Sequence, residues 1–510
     1  MTSTVKSLLP LNYLAFFFFF VCTVAVAERP NIVLIYTDDV GYGDVGCYGA
    51  RGVETPNIDR LAKEGIKFTD AHCSAATCTP SRYALLTGSY AFRGDAKILR
   101  GNANLIIDTK TPTLPGLLKE AGYATGVVGK WHLGLGDGDV DWNKDVKPGP
   151  NEIGFDYHFL VPATGDRVPC VYLEQSKVVD LEPSDPITVS YGKKIGTAKT
   201  GKDAPETLKQ MWSHGHNMTI VNGISRIGFM TGGHKARWID EDMADVITGK
   251  AVDFIDTNKD TPFFLFFSTH DIHVPRVPHS RFTGKSTMGY RGDAIVQMDW
   301  CVGELLAALD RLDLTKNTLV IFSSDNGPVL DDGYVDQANE KIGSHQPAGH
   351  LRAGKYSLFE GGTRVPTLAR WPERIEAGKE SDALFGQVDI AASIAKLVEL
   401  ELPENGMPDS RDALDVLLGK ETDGREHLLH EAPRSLALRH GKWKYIATQT
   451  RDGLGPWTNA KHPAPGSLYD LSTDPSEKTN VASDNPEQLK KMAELLEKLQ
   501  SEPDRAGASL

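Results

Sequence analysis

The chain has 510 residues, a length that predicts one large domain and a smaller one beside it. It is 40% hydrophobic and 24% charged, close to the globular average, which excludes a disordered, collagen-like or polytopic membrane protein. The formal net charge is −13, so the chain lacks the basic surface that non-specific nucleic-acid binding requires. Its six cysteines are too few for a disulfide scaffold.

The first residues, 1–27, have the organisation of a secretory signal peptide. Lys6 gives the positive start, residues 14–21 form an apolar run, and Ala-Val-Ala at 25–27 is a small-x-small cleavage site. The alternative is an uncleaved anchor helix, for which the apolar stretch is short. We therefore predict an exported protein, periplasmic or secreted, with no stable membrane span after signal cleavage.

Four short apolar runs predict buried strands, and helical patterns separate them. The runs are 31–36, 123–128, 263–267 and 318–322, and the clearest helical patterns are 57–64 and 251–258. Strands that alternate with helices indicate an α/β fold with a mostly parallel central sheet covered on both faces.

The pattern of apolar and polar residues changes at two places after the second predicted strand. Residues 181–235 have weak periodicity and resemble a long insertion, and such loops are often functional. After 425 the pattern becomes a hairpin at 436–446 and an amphipathic helix at 489–499. We therefore predict a catalytic domain at 28–425 and a small C-terminal domain at 426–510.

Polar residues follow all four predicted strands, where ligands bind in open parallel sheets. In chain order they are Asp38 and Asp39, Lys130 and His132, His270 and His273, and Asp325 and Asn326. The three aspartates and the asparagine amide form an all-oxygen ligand set, which suits calcium or magnesium rather than zinc. Turn and cap roles are the alternative for each pair alone, but the combination favours a metal.

Cys78 lies in a Cys-x-Pro-x-Arg segment that is followed by Leu-Leu-Thr-Gly. A single cysteine of this kind is a nucleophile, a buried structural residue, or one half of a Cys73–Cys78 disulfide. The segment resembles the activation signature of the type I sulfatases. Further similarity covers nearly all of the mature chain, in segments 31–43, 55–62, 129–134, 354–366 and 468–477.

This resemblance implies the alkaline-phosphatase-like α/β/α sandwich with a mostly parallel central sheet. It also implies a small C-terminal α+β domain with an antiparallel sheet. In the family, a maturation enzyme oxidises the cysteine to Cα-formylglycine, and the hydrated aldehyde is the nucleophile. Its gem-diol can expel sulfate by collapsing to the aldehyde, so no water need attack the sulfur.

The resemblance also implies one calcium ion, which polarises a sulfate oxygen and holds the pKa of the diol oxygen low. Its implied ligands are Asp38, Asp39, Asp325, Asn326 and the modified Cys78. Asp325 is in addition the implied base that activates the diol.

Four further residues complete the implied chemistry. Arg82 lies one helical turn after Cys78 and would stabilise the formylglycine hydrate. Lys130 and Lys355 would neutralise charge on the sulfate, and His132 would contact the diol and take its second proton. Because the protein is acidic, these cations and the metal must form a local positive pocket for an anionic substrate.

For proton donation and substrate binding, the sequence leaves more than one candidate residue or role. His273 matches the family's His-x-Pro segment and is the implied acid for the leaving oxygen, with His270 as the alternative in that role or in substrate binding. Thr164 and Arg167 follow a Gly-Phe-Asp segment after which the family often places substrate contacts. Arg167 would bind a sulfate or carboxylate, with a surface salt bridge as the alternative.

The predicted function is calcium-dependent hydrolysis of sulfate monoesters, on a sulfated carbohydrate or an aryl sulfate, after modification by a formylglycine-maturation enzyme. A phosphomonoester, phosphodiester or phosphonate hydrolase on the same fold is the second hypothesis. A non-catalytic protein that binds sulfated glycans is the third, and it applies if Cys78 stays unmodified.

Overall fold

The computed structural model describes residues 1–2, 29–433, 435–448, 450–454, 459–460 and 466–502. The predicted signal peptide lies outside the described residues apart from its first two positions. No helix in the described part of the chain combines the length and the apolarity that crossing a membrane needs.

A ten-stranded mixed sheet forms the centre of the molecule, in the spatial order β10-β2-β9-β8-β1-β7-β3-β4-β5-β6. Its central block of β8, β1, β7, β3 and β4 is parallel. The strands are β1 (Asn31–Thr37), β2 (Ile66–Phe68), β3 (Ala124–Lys130), β4 (Tyr157–Val161), β5 (Leu173–Glu174), β6 (Lys177–Val178), β7 (Phe263–Ser268), β8 (Thr318–Ser324), β9 (Thr367–Arg370) and β10 (Lys379–Ser381).

The four predicted buried strands are confirmed as β1, β3, β7 and β8, and they are neighbours in the sheet. Every residue of β1, β7 and β8 is buried, as expected for strands covered on both faces. Since the four strands are parallel, their carboxyl ends lie at one edge of the sheet. The polar residues that follow them are therefore brought to the same edge.

Helices cover both faces of this sheet. Helices α1, α4 and α5 pack together as one layer, and α2, α3 and α8 pack together as another. The helices are α1 (Pro56–Glu64), α2 (Cys78–Thr87), α3 (Leu114–Glu120), α4 (Met243–Asn258), α5 (Gly289–Arg311), α6 (Ala338–Lys341), α7 (Glu360–Thr363), α8 (Ile390–Leu397), α9 (Leu414–Leu417) and α10 (Pro486–Ser501).

Two helices differ from the sequence expectation. Helix α4 extends over eight more residues than the predicted 251–258 at its N-terminal end. Helix α5 was not predicted, because it buries polar residues such as Arg291, Asp293 and Asp299 that interrupt its apolar period. These polar side chains are satisfied by partners from other segments, for example Arg291 by the carboxylate of Asp44 at 2.7 Å.

The predicted insertion at 181–235 contains short strand pairs and no long element. Thr188–Ser190 pairs with Phe229–Thr231, and Ile220–Val221 pairs with Ile224–Ser225. Met211–Trp212 pairs with Tyr334–Val335, which lies in the loop after β8. The insertion is therefore tied to the edge of the sheet where the polar residues lie.

The C-terminal part forms a four-stranded antiparallel sheet, against which α10 packs. Its strands are β11 (His427–Ala432), β12 (Ser435–His440), β13 (Trp443–Ile446) and β14 (Ser467–Asp470). The predicted hairpin is confirmed as β12 and β13, with Gly441 in the turn at φ 52°. The division of the chain at 425 stays a prediction.

The C-terminal sheet is joined to the rest by buried ion pairs. Lys444 is fully buried, and its Nζ lies 2.9 Å from the carboxylate of Glu360 and 3.0 Å from Nδ1 of His430. Arg439 and Arg364 each lie 3.5 Å from the same carboxylate. Breaking a buried pair by removing one partner is strongly destabilising, because it leaves a buried charge less well compensated.

We predict that Lys444→Met lowers the free energy of unfolding by about 3 kcal/mol, near the lower end for a broken buried pair because two arginines remain beside Glu360. The measurement is urea denaturation of the full chain. Lys442→Met is the matched control, because this lysine is half exposed in its pair with Asp470. The control loses less than about 1 kcal/mol, and equal losses in the two variants would contradict the prediction.

Candidate active site

Cys78 is the first residue of α2 and is buried at the carboxyl edge of the sheet. The segment before it is held on two sides, since Tyr356 N–H donates to Ala76 O and Ala76 N–H donates to Glu431 O, both at 2.7 Å. The five described cysteines are all free, so no disulfide joins Cys73 to Cys78. Burial raises the pKa of the Cys78 thiol, so the unmodified side chain is a poor nucleophile.

The oxygen-rich pairs that follow β1 and β8 lie side by side, because Thr37 and Ser324 are register partners at the strand ends. Asn326 Nδ2 donates to Asp39 Oδ1 at 2.8 Å. Two acceptor atoms, Asp38 Oδ1 and Asn326 Oδ1, are buried with no hydrogen-bond donor among the described residues. Buried acceptors need a partner, and a hard cation is the partner that this oxygen set fits.

Three buried cations are already paired with these carboxylates. Lys130 pairs with Asp38, and the Arg82 guanidinium lies 2.8 Å from Asp325 Oδ2. The other cation, Lys355, lies 2.8 Å from Asp39 Oδ1. The positive charge expected from the sequence is therefore balanced by the protein's own carboxylates, and a metal ion held by the oxygen set would add to it.

The pKa values of the adjacent carboxylates Asp38 and Asp39 are shifted in opposite directions. Burial, and then the negative charge of Asp325, raise the pKa of Asp38 well above its ordinary value. Burial also acts to raise the pKa of Asp39, but Lys355 and Lys130 outweigh it and lower that pKa. A bound cation would therefore favour the ionised form of Asp38.

His132 contacts the sulfur of Cys78. Its Nδ1 lies 3.3 Å from Cys78 Sγ, while its Nε2 lies 3.0 Å from the carbonyl of Leu99. Because a carbonyl only accepts, Nε2 carries the proton and Nδ1 presents its lone pair to residue 78. Burial, and then the charge of Arg167, lower the pKa of His132 well below its ordinary value, which keeps the ring neutral.

The two histidines after β7 have different partners. His273 Nδ1 donates to the carbonyl of Val274 at 2.7 Å, and its Nε2 lies 4.0 Å from Asp39 Oδ2. His270 Nε2 accepts from the N–H of Gly165 at 2.9 Å. The ring nitrogen that lies beside the carboxylates is thus Nε2 of His273, whereas Nε2 of His270 faces the loop of Gly165.

Thr164 and Arg167 lie in the loop that covers His270. Arg167 Nη1 donates to Thr164 Oγ1 at 2.6 Å and to both carboxylate oxygens of Asp166 at 2.6 and 2.9 Å. The ion pair proposed as an alternative for Arg167 is present, but it is internal to this loop, because Asp166 is almost fully buried.

Sequence reasoning missed Asp332 and Asp166 in this site. Asp332 lies 2.8 Å from Lys355 Nζ and accepts a hydrogen bond from Tyr356 Oη at 2.9 Å. Asp166 and His216 form a second buried pair at 2.9 Å beside Arg167. The adjacent aspartates at 331 and 332, in a loop after a strand that already carries the metal set, were the signal that could have identified Asp332.

Lys355 keeps its charge in this setting. Burial acts to lower its pKa, but Asp332 and Asp39 outweigh burial and raise it well above the ordinary value. A buried lysine with two carboxylate partners stays protonated. Lys355 therefore remains a fixed positive charge beside the nucleophile segment.

The sequence of the chain is similar to those of known sulfatases. A family model described as Sulfatase matches residues 30–400, and one described as N-sulphoglucosamine sulphohydrolase, C-terminal, matches residues 350–504. A Bacteroides thetaiotaomicron protein named N-acetylgalactosamine-6-O-sulfatase is 53% identical, over 93% of this chain and 94% of its own length. A Rattus norvegicus steryl-sulfatase is 34% identical, over 81% of this chain and 74% of its own.

A solved Bacteroides thetaiotaomicron structure, described in work on the metabolism of multiple glycosaminoglycans, superposes with a TM-score of 0.90. It is 52% identical to this chain and covers 93% of it, and this chain covers all of that structure. These similarities cover the central sheet, the C-terminal sheet and the edge where Cys78 lies. The chain belongs to the sulfatase family and is an enzyme that hydrolyses sulfate esters.

Proposed function

We propose that this chain is an exported sulfatase that uses calcium and a formylglycine made from Cys78, and that it acts on a sulfated carbohydrate. The observation that carries the proposal is the contact of Cys78 with the lone pair of His132, beside buried oxygen ligands with unsatisfied acceptors. The relative at 53% identity makes 6-O-sulfated N-acetylgalactosamine the proposed substrate.

The protein's own residues would hold the metal and the sulfate in fixed positions. The proposed calcium ligands are Asp38, Asp39, Asp325, Asn326 and residue 78. When present, calcium supplies Lewis-acid polarisation of a sulfate oxygen and formylglycine supplies the attacking oxygen. The N-terminus of α2, at which residue 78 lies, favours negative charge at that position.

Proton transfer is assigned to three side chains. His132 takes a proton at Nδ1 from the group at position 78, and Asp325 is the base proposed for the first proton. Arg82 Nε donates to Asp325 Oδ2 at 2.9 Å, and Arg82 Nη2 lies 2.8 Å from the same oxygen, so the guanidinium fixes this carboxylate. His273 Nε2 is the ring nitrogen proposed to protonate the leaving oxygen. Because Nδ1 already donates to the carbonyl of Val274, Nε2 can donate only when the ring is doubly protonated. Burial, and then the charge of Lys355, hold the pKa of His273 well below its ordinary value, and the negative charge of a bound sulfate ester would raise that pKa and supply the charged ring.

Export to the periplasm or outside the cell is part of the proposal and follows from the signal-like sequence of residues 1–27. Modification of Cys78 requires a maturation enzyme as a partner. The proposal is tested on protein made together with such an enzyme. Sulfate release is measured from 6-O-sulfated N-acetylgalactosamine, phosphate release from phosphate esters, and alcohol release from phosphonate esters. Faster release from a phosphorus ester would favour the second hypothesis.

We expect Cys78→Ala to lower sulfate release by at least about 1,000-fold, because it removes the nucleophile. In the wild type, the mass of the Cys78 peptide should fall by the difference between CH₂SH and CHO. Cys73→Ala is the matched control, since Cys73 is also buried and free five positions earlier. The control keeps both the mass change and the activity, and an unmodified, fully active Cys78 would overturn the proposal.

We expect Asp325→Asn to weaken calcium binding by about 100-fold or more, because even the loss of an outer partner of a metal ligand costs about 10- to 100-fold. Calcium content after dialysis, measured by mass spectrometry, checks this expectation. Asp331→Asn is the control, because Asp331 is partly exposed in the loop after β8 and bonds Ser213. Unchanged calcium in Asp325→Asn would contradict the ligand assignment.

We expect His273→Ala to lower the hydrolysis of a sugar sulfate by about 100-fold or more, the usual contribution of a general acid. The loss should be much smaller for a nitrophenyl sulfate, whose leaving group needs little protonation. His270→Ala provides the comparison, since its Nε2 is occupied by Gly165. Equal losses of His273→Ala on both esters would show that His273 is not the acid.

A further inference from the structure

The insertion at 181–235 has a charge opposite in sign to that of the whole protein. It contains seven lysine and arginine residues against four acidic ones, a formal charge of +3 in a chain whose net charge is −13. The excess is concentrated at 191–202, a stretch with four lysines and no acidic residue, which we call the lysine segment. Its lysines are Lys193, Lys194, Lys199 and Lys202, and all four are exposed. A clustered basic surface of this kind predicts an anionic partner.

Most of the charge on the lysine segment is not compensated by the protein itself. Lys194 Nζ lies 2.6 Å from Asp203 Oδ2, in an ion pair whose two side chains are about half exposed. Lys193, Lys199 and Lys202 have no ion-pair partner among the residues that the structure describes. Three ammonium groups are therefore available to a ligand that approaches from solvent.

The lysine segment begins beside the active site. Tyr191 Oη donates to the carbonyl of Val168 at 2.6 Å and accepts from the N–H of Gly101 at 2.8 Å. Gly101 lies two positions after the residue whose carbonyl bonds Nε2 of His132. Between them lies Arg100, which is exposed and whose guanidinium is 5.9 Å from the Tyr191 ring. Tyr191 thus fixes the start of the segment near the histidine that contacts Cys78, and Arg100 adds a further cation there.

The other end of the lysine segment is also fixed next to the site. Lys202 N–H donates to the carbonyl of Asn217 at 3.1 Å. Asn217 directly follows His216, whose Nε2 lies 2.9 Å from the buried carboxylate of Asp166 in the loop after β4. The backbone of the segment is therefore held at both ends, while its lysine side chains extend into solvent at the edge of the sheet where Cys78 lies.

The charge of this surface matches a ligand that carries several negative charges. The buried cations around Cys78 are balanced by carboxylates, so the unpaired positive charge near the site lies mainly on the exposed lysine segment. A lysine ammonium is a point charge on a flexible stem, which suits anions whose positions vary along a ligand. Exposed charges act over a Debye length of about 8 Å at physiological ionic strength and raise the association rate of an opposite charge.

We propose that the lysine segment binds a polyanionic carbohydrate chain, through sulfates or carboxylates on sugars other than the one whose sulfate is removed. A single sulfated sugar places its one charge at Cys78 and leaves the lysines without a ligand, whereas an oligosaccharide with an anion on each sugar engages both. The enzyme therefore prefers an anionic oligosaccharide to a monosaccharide. The inference rests on the proposed function, because it extends the same substrate beyond the sugar that reacts.

The kinetic experiment compares two substrates on the matured, calcium-loaded full chain. One is 6-O-sulfated N-acetylgalactosamine, and the other is a hexasaccharide that alternates this sugar with a uronic acid. The triple variant Lys193→Gln/Lys199→Gln/Lys202→Gln should lower kcat/KM for the hexasaccharide by about 10-fold, the combined effect of three exposed charges. Its kcat/KM for the monosaccharide should change by less than about twofold, and substitution of the same lysines by glutamate should increase the loss on the hexasaccharide.

A matched control removes the same charge elsewhere. Lys490, Lys491 and Lys498 are exposed on α10 in the C-terminal part of the chain. Their substitution by glutamine should leave kcat/KM for both substrates unchanged, because only a local surface, and not the net charge, is proposed to act.

A binding measurement tests the lysine segment without catalysis. Cys78→Ala in the full chain is titrated with the fluorescently labelled hexasaccharide, and anisotropy gives the dissociation constant. Adding the three glutamine substitutions of the lysine segment should raise this constant by about 10-fold. Added salt should weaken binding more in Cys78→Ala than in the variant that also lacks the lysines, since salt screens exposed charges.

Three outcomes would overturn the inference while sulfate release by the wild type still supports the proposed function. They are an unchanged kcat/KM for the hexasaccharide in the triple variant, equal losses on the two substrates, and an equal loss in the α10 control. If the wild type releases no sulfate from either substrate, the proposed function falls. The lysine segment is then judged by binding alone, which the three substitutions must weaken.

Discussion

Repulsion among the buried carboxylates Asp38, Asp39 and Asp325 is the constraint on which the site depends. Two like charges 4 Å apart repel by about 4 kcal/mol at an effective dielectric constant of about 20. Lys130, Arg82 and Lys355 offset this repulsion, so three basic residues are used by the protein itself. Asp332 adds a fourth carboxylate, which leaves an excess of negative charge that a divalent cation would reverse. An acidic protein can then accept an anionic ester.

The edge at which these groups meet could be predicted from the sequence. Continuous apolar runs identify strands buried on both faces, such strands are parallel, and parallel strands bring their carboxyl ends together. The structure places β8, β1, β7 and β3 side by side, so the residues after them meet as expected. Lys355 follows no predicted strand, and only its motif identified it.

The residues that sequence reasoning missed were hard to predict for the same physical reason. Asp332 and Asp166 lie in loops, where no periodicity fixes the direction of a side chain. Their partners are up to fifty positions away in the chain, as for His216 and Asp166. Helix α5 was missed for a related reason, since buried ion pairs such as Arg291–Asp44 replaced apolar residues at core positions. Long-range polar pairing leaves little trace in a single sequence.

Two groups of candidate site residues are held by different parts of the fold. The carboxylates and Cys78 lie at strand ends and at the start of α2, and the backbone before Cys78 is bonded to the C-terminal sheet through Glu431. Loop 164–167 is held instead by the insertion, through Ile227 and His216. Changes in the insertion can therefore alter Arg167 without moving the carboxylates or Cys78. Such a division lets a loop change while the residues on the sheet keep their positions.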